Sequence, residues 1–134
     1  MNHKNNFKEW YRFAMMYAQA ASFLMDKRGP PYEAVCCLGC LSAECAMKGF
    51  LLERNPGIPL PDTHNLRELC QACAWFENDF DCLLDECQDM ARFTFPTMEK
   101  ADLGDALGVM DTAQDVLRLT AYSQEQSQGP TMSM

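Results

Sequence analysis

Tyr32-Glu33-Ala34-Val35-Cys36-Cys37-Leu38-Gly39-Cys40-Leu41-Ser42-Ala43-Glu44-Cys45-Ala46-Met47-Lys48-Gly49-Phe50-Leu51-Leu52-Glu53 is the stretch that decides the fold. It contains no proline, and its apolar residues fall on every side of a 3.6-residue turn: Val35, Cys36, Leu38, Cys40, Leu41, Ala43, Ala46, Met47, Phe50 and Leu51. A helix without a polar face is a central, buried one. Its 22 residues would run about 33 Å. The longest uncharged run inside it, Ala34 to Ala43, stops at Glu44, short of the roughly 18 residues a membrane span needs. The stretch therefore reads as the middle of a helical bundle.

The neighbouring segments supply the helices around it. Prolines at 30, 31, 56, 59, 61, 96 and 130 cut the chain into proline-free lengths, and proline breaks helix interiors. Upstream, Phe7, Trp10, Tyr11, Ala14, Ala18, Ala21 and Met25 recur at helical spacing, so a first helix is expected over about 7–27. Downstream of the Asn55–Pro61 loop, Thr63 or Asp62 is expected to cap a third helix whose Leu66, Leu69, Cys70, Cys73 and Phe76 point inward. A fourth helix is expected over about 79–92, and a fifth over about 99–120 with Leu103, Leu107, Met110, Ala113, Leu117 and Ala121 on one stripe. Three Val and one Ile in 134 residues are too few for a sheet. The expected architecture is all-α, a four- to five-helix up-and-down bundle in one domain of residues 1–134. Its ordered core covers about 7–121, and 122–134 form a polar tail.

Charge narrows the function classes. The net charge of −8 is uneven: residues 1–76 hold eight Lys/Arg and seven Asp/Glu, residues 77–134 three and twelve. Phosphate backbones and anionic membranes need a basic face, so neither broad nucleic-acid binding nor membrane association is expected. The opening residues Met1–Asn6 contain no apolar run resembling a signal peptide. The eight cysteines are then expected as reduced thiols in a cytoplasmic protein.

The cysteines lie within apolar helix patterns rather than in the loop-borne turns of zinc sites. Packing as small hydrophobes is the expected role, and a site from Cys70, Cys73 and His64 is the alternative. Only two histidines are present, His3 and His64, too few for a well-supplied nucleophilic machine. Glu44 and Lys48 stand four apart in the favourable order for a helical ion pair. Their place on the most apolar helix reads either as an internal salt bridge or as Lys48 serving an anion. Arg92 is the only basic residue between Arg67 and Lys100. It reads as a neutraliser of Asp85, Glu86 or Asp89, as a cap for the last carbonyls of its helix, or as a ligand contact.

Ser42-Ala43-Glu44-Cys45-Ala46-Met47-Lys48-Gly49-Phe50-Leu51, then Thr63-His64-Asn65-Leu66-Arg67-Glu68-Leu69, then Arg92-Phe93 with Pro96, follow one another in an order that resembles the HEPN (higher eukaryote and prokaryote nucleotide-binding) domain family. The resemblance spans about Trp10 to Leu119. It implies a five-helix bundle that commonly dimerises. It also implies one of three roles: toxin-type ribonuclease of toxin–antitoxin pairs, partner of a small nucleotidyltransferase, or nucleotide-binding module. Ribonuclease members carry an Arg followed four to six residues later by His. Here Arg92 is followed at that reach by Pro96, Thr97 and Met98. The expectation is a non-catalytic binding or regulatory module, a homodimer with no cofactor, metal or catalytic set. Its ligand contacts are Arg92, Lys48, His64 and Glu44, with Arg92 and Lys48 in one cleft. The alternative is a degenerate ribonuclease using Arg92 and a remote His64.

Overall fold

The computed structural model describes residues 6–132, with side chains described for 6–120. His3, and the expectations placed on the Ala121 side chain and on the side chains of the tail, lie outside the described residues. Helices α1 (Phe7–Met25), α2 (Tyr32–Arg54), α3 (Leu66–Ala74), α4 (Leu84–Met90) and α5 (Leu103–Met132) follow in order, with short 3₁₀ segments at Asn78–Leu83 and Ala91–Phe93. No strand occurs among the described residues. The all-α bundle is thus observed.

The central helix is α2. Its Val35, Cys36, Ala43, Ala46, Met47 and Phe50 are fully buried, and α1, α3 and α5 pack around it. By length and mean hydropathy (1.6) α2 is apolar enough to cross a membrane, which a count of consecutive uncharged residues does not reveal. In the bundle, 78% of that window is buried. Two glycines let its neighbours come close. A Cβ on Gly39 would sit 2.6 Å from Val109 Cγ1 of α5, and one on Gly49 2.9 Å from the Tyr11 ring of α1. Ser42 Oγ, buried in the same seam, donates to Ala14 O at 2.7 Å and ties α2 to α1.

Close packing corrects the expected stripe of α5. Ala113 is buried and Met110 and Leu117 pack partly buried against the core as expected, but Ala106, Val109 and Val116 are buried where Leu103 and Leu107 are half exposed. Against a glycine-bearing face, small side chains let the backbones approach, and the bulky leucines are turned outward. The aromatics of α1 face the bundle. Trp10, Phe13 and Tyr17 pack partly buried against the core, and the exposed apolar residues are Met15, Met16 and Phe23.

Helix ends differ in instructive ways. Asn65, not Thr63 or Asp62, caps α3, its side chain accepting from Glu68 N at 2.9 Å. Thr63 braces that cap: its hydroxyl accepts from Asn65 N at 3.0 Å and donates to Glu68 Oε2 at 2.7 Å. The expected fourth helix divides into the two 3₁₀ turns flanking a short α4. The start of α5 falls at Leu103, not Glu99, because Asp102 and Asp105 close a reciprocal capping box there, with N–H to carboxylate distances of 2.9 and 3.0 Å. The helix runs on to Met132, through a stretch expected as tail. Its Gln and Glu residues are good helix formers and need no apolar stripe to be helical.

Candidate functional site

Cys37, Leu41, Glu44 and Lys48 recur along α2 at steps of four, three and four, which places them on one helix face. Glu44 and Lys48 are the charged pair on this otherwise apolar surface. Lys48 is only 7% exposed. A buried charge must be paired, and two groups meet this one: Glu44 Oε2 at 2.8 Å and the Trp10 ring of α1, whose centre is 5.5 Å away. The ring face attracts the ammonium through its quadrupole.

The same carboxylate oxygen meets His64 Nδ1 at 2.6 Å. Asn65 and Thr63 fix the backbone on both sides of this histidine through the α3 cap, so the imidazole is delivered to α2 by the head of another helix. An ionised carboxylate can only accept, so the proton of the imidazole sits on Nδ1. Nε2 is left without a partner among the described residues, on a side chain 84% exposed. Glu44 thus serves two donors through Oε2, while Oε1 makes no hydrogen bond among the described residues.

Glu44 and His64 border a cavity of about 580 Å³ between α2, the head of α3 and the 91–97 turn. Leu41, Leu66, Phe95 and Pro96 supply its apolar walls. Phe95 is 86% exposed although it lines this hollow. Among the described residues, no Lys or Arg lines the cavity.

Arg92 lies elsewhere. It borders a smaller hollow of about 150 Å³ against α5. Asp89 at 3.3 Å, Asp105 at 3.2 Å and Glu99 at 3.7 Å surround its guanidinium, which also lies 4.5 Å from the centre of the Phe93 ring. The backbone N–H of Asp102 and then the Arg92 guanidinium hold the Asp105 carboxyl below its ordinary value. Asp89 is therefore one of the acids expected to neutralise Arg92, while Asp85 pairs with Arg67 at 3.4 Å. Of the residues expected to meet a ligand, the fold brings Glu44, Lys48 and His64 together. It sets Arg92 apart as a clamp between the 91–93 turn and the capping box of α5.

The thiols are packed. Six of the eight cysteines are buried. Burial raises the Cys36 thiol to about 11 and the Cys45 thiol to about 12. Cys70 Sγ donates to Phe80 O at 3.1 Å and Cys73 Sγ to Met47 O at 3.7 Å. No group of three metal-ligating side chains gathers among the described residues.

Sequence reasoning missed the cavity itself. Its signal was present in Phe93-Thr94-Phe95-Pro96, where an aromatic before proline falls outside any helical stripe. Comparison with the curated proteins and with the solved structures gave no match. The HEPN domain family, by contrast, matches over residues 7–125, which takes in all of α1 to α4, the cavity and most of α5. With its Glu44–Lys48 helix at the centre and Thr63-His64 at the cavity's edge, the chain belongs to the HEPN domain family.

Proposed function

We propose that this HEPN domain is a non-catalytic binding or regulatory module that holds a nucleotide-like ligand in the cavity bordered by Glu44 and His64. The observation that carries the reading is that hollow. Its volume of about 580 Å³ lies within the roughly 300–1,000 Å³ of small-molecule sites, and it joins apolar walls to a few polar groups as such sites do. Calorimetric titration of ATP, GTP, AMP and adenosine tests it. At least one should bind at millimolar concentration or below, and heat from none of them would overturn the reading.

The module acts in the cytoplasm as a homodimer in this reading. Free thiols suit a reducing compartment, and the outward Leu103 and Leu107 of α5 offer apolar surface to a second copy. Light scattering should give about 30 kDa, twice the 15.2 kDa chain. A mass near that of one chain at tens of micromolar would refute the dimer. The exposed Met15, Met16 and Phe23 of α1 support the related role of docking a small nucleotidyltransferase.

A ribonuclease reading has one observation in its favour. The Glu44 carboxylate holds His64 through Nδ1 and leaves Nε2 free, the way an acid orients a general base. It predicts metal-free cleavage of single-stranded RNA that His64→Ala abolishes. The position of Arg92, enclosed by three carboxylates beside a different hollow, favours the binding module.

A further inference from the structure

Taking the binding reading above as its premise, we infer that the cavity recognises a planar N-heterocycle through its ring and N–H edge, and makes no phosphate contact. The ligand class is a free nucleobase or nucleoside rather than a nucleotide.

The charge around the hollow argues first. A phosphate needs cationic or N–H donors. No Lys or Arg lines the cavity among the described residues. Lys48, the nearest cation on the same α2 face, is buried between Glu44 and the Trp10 ring. Arg92 is committed to Asp89, Glu99 and Asp105 beside the other hollow. The ionised group that does border the cavity is Glu44, and it repels phosphate.

Of the polar groups that remain, Glu44 alone carries a full charge and can only accept, while Asn65, Thr94 and Thr97 are neutral. Glu44 is only 14% exposed, yet its Oε1 has no partner among the described residues. This oxygen is not sealed in the core, so a ligand N–H can take the place of water there. His64 Nε2, the ring nitrogen turned away from Glu44, is a second polar atom for the edge of a ligand. Amino and ring N–H groups of a nucleobase supply such donors, and a phosphate supplies none.

Phe95 provides the third element. An aromatic ring left 86% exposed at the edge of an apolar hollow is a stacking platform, and a flat heterocycle is the shape that uses it. Stacking of this kind tolerates different bases, so the edge presented to Glu44, rather than the ring, sets the choice among them.

Calorimetry on the full chain separates the alternatives, using adenine, adenosine and guanosine against AMP and ATP at 0.05 and 0.5 M salt. Adenosine or guanosine should bind more tightly than AMP, and AMP more tightly than ATP, with little weakening at high salt. Phe95→Ala, an exposed change that leaves the core intact, should lose roughly tenfold in nucleoside affinity. Glu44→Gln turns one acceptor into a donor and should weaken nucleosides similarly. Because it leaves Lys48 short of its counter-charge, the Glu44→Gln/Lys48→Met pair serves if the single variant unfolds. ATP binding more tightly than adenosine, with affinity falling steeply in salt, would overturn this inference while leaving the binding module standing. Equal nucleoside affinity in wild type and Phe95→Ala would also overturn it. Absence of any binding would overturn both.

Discussion

Gly39 and Gly108 are both glycines inside helices, and the same substitution should move them in opposite directions. Replacing a helical glycine with alanine gains about 1 kcal/mol by restricting the unfolded chain and improving propensity. Gly108 on α5 is exposed, and a Cβ there meets nothing within 4 Å. Gly108→Ala should therefore stabilise by about 1 kcal/mol. A Cβ at Gly39 would lie 2.6 Å from Val109 Cγ1, about 1 Å inside the roughly 3.5–4.0 Å optimum for two carbons. Val109 has no easy retreat. It is 4% exposed, and a β-branched side chain in a helix has one strongly preferred rotamer. The strain must go into that rotamer or into separation of α2 from α5. Overpacking of this kind costs about 1–3 kcal/mol, and a stiff, enclosed neighbour puts it near the top of that range. After the propensity gain, Gly39→Ala should destabilise by about 1–2 kcal/mol. Thermal denaturation followed by circular dichroism should show a melting temperature roughly 4–8 °C lower for Gly39→Ala and roughly 4 °C higher for Gly108→Ala. In a cycle with Val109→Ala, the double variant should be more stable than the sum of the singles by at least about 1 kcal/mol. If Gly39→Ala stabilises like Gly108→Ala, the close approach of α2 and α5 is not what the glycine serves.

Three further outcomes follow from the packing. In native protein a thiol reagent should label Cys82, which is exposed, and Cys37, which is half-buried, while all eight cysteines react in denaturant; rapid native labelling of six or more would mean that the core is not closed. Asp105 is held below its ordinary value by the Asp102 N–H and Arg92, so its ionised form favours the fold. That contribution is present above about pH 4 and is lost as pH falls through the lowered value. Asp105→Asn should then melt earlier than wild type at pH 7, with the gap narrowing as the medium becomes more acid than the ordinary carboxylate range, and a gap independent of pH would exclude the ion pair as its source. Ser42→Ala removes the 2.7 Å bond to Ala14 O but leaves that carbonyl inside a helix, so urea denaturation should show a loss of about 1 kcal/mol; a loss above about 3 kcal/mol would mean the hydroxyl does more than join α1 to α2.

Helix count and central helix were legible because apolar periodicity is a property of single segments. α2 reads as buried from its own residues, and the fold buries it. What failed were properties that depend on a second segment. Leu103 and Leu107 satisfy a helical stripe as well as Ala106 and Val109 do. The choice between the two faces is made by Gly39 on another helix, some 70 residues away. The start of α3 failed for a more local reason. Thr63, His64 and Asn65 precede it in a row, and both Thr63 and Asn65 are good caps. Asn65 takes the position, and Thr63 braces it through Asn65 N and Glu68.

The site shows the same division between what one helix states and what two must share. The pairing of Glu44 with Lys48 is written at i, i+4, and their burial follows from the apolar helix that carries them. The third member, His64, comes from the head of α3; the Thr63-His64 stretch of the family resemblance flagged it, but nothing on α2 itself showed that it meets Glu44. A basic residue in an acidic stretch invites a functional reading, and Arg92 received one. The carboxylates that made the stretch look hostile are the ones that hold the guanidinium: Asp89 lies three residues before it, and Asp105 belongs to the cap of the next helix. Sequence charge counts see an excess of acid around Arg92 and a lone cation within it. Geometry turns both into one clamp, in which three carboxylates hold a single cation, and leaves Glu44 as the ionised group beside the cavity. For this reason the ligand chemistry proposed from the fold has the opposite polarity to the one expected from Arg92 and Lys48 in one cleft, a donor edge in place of an anion.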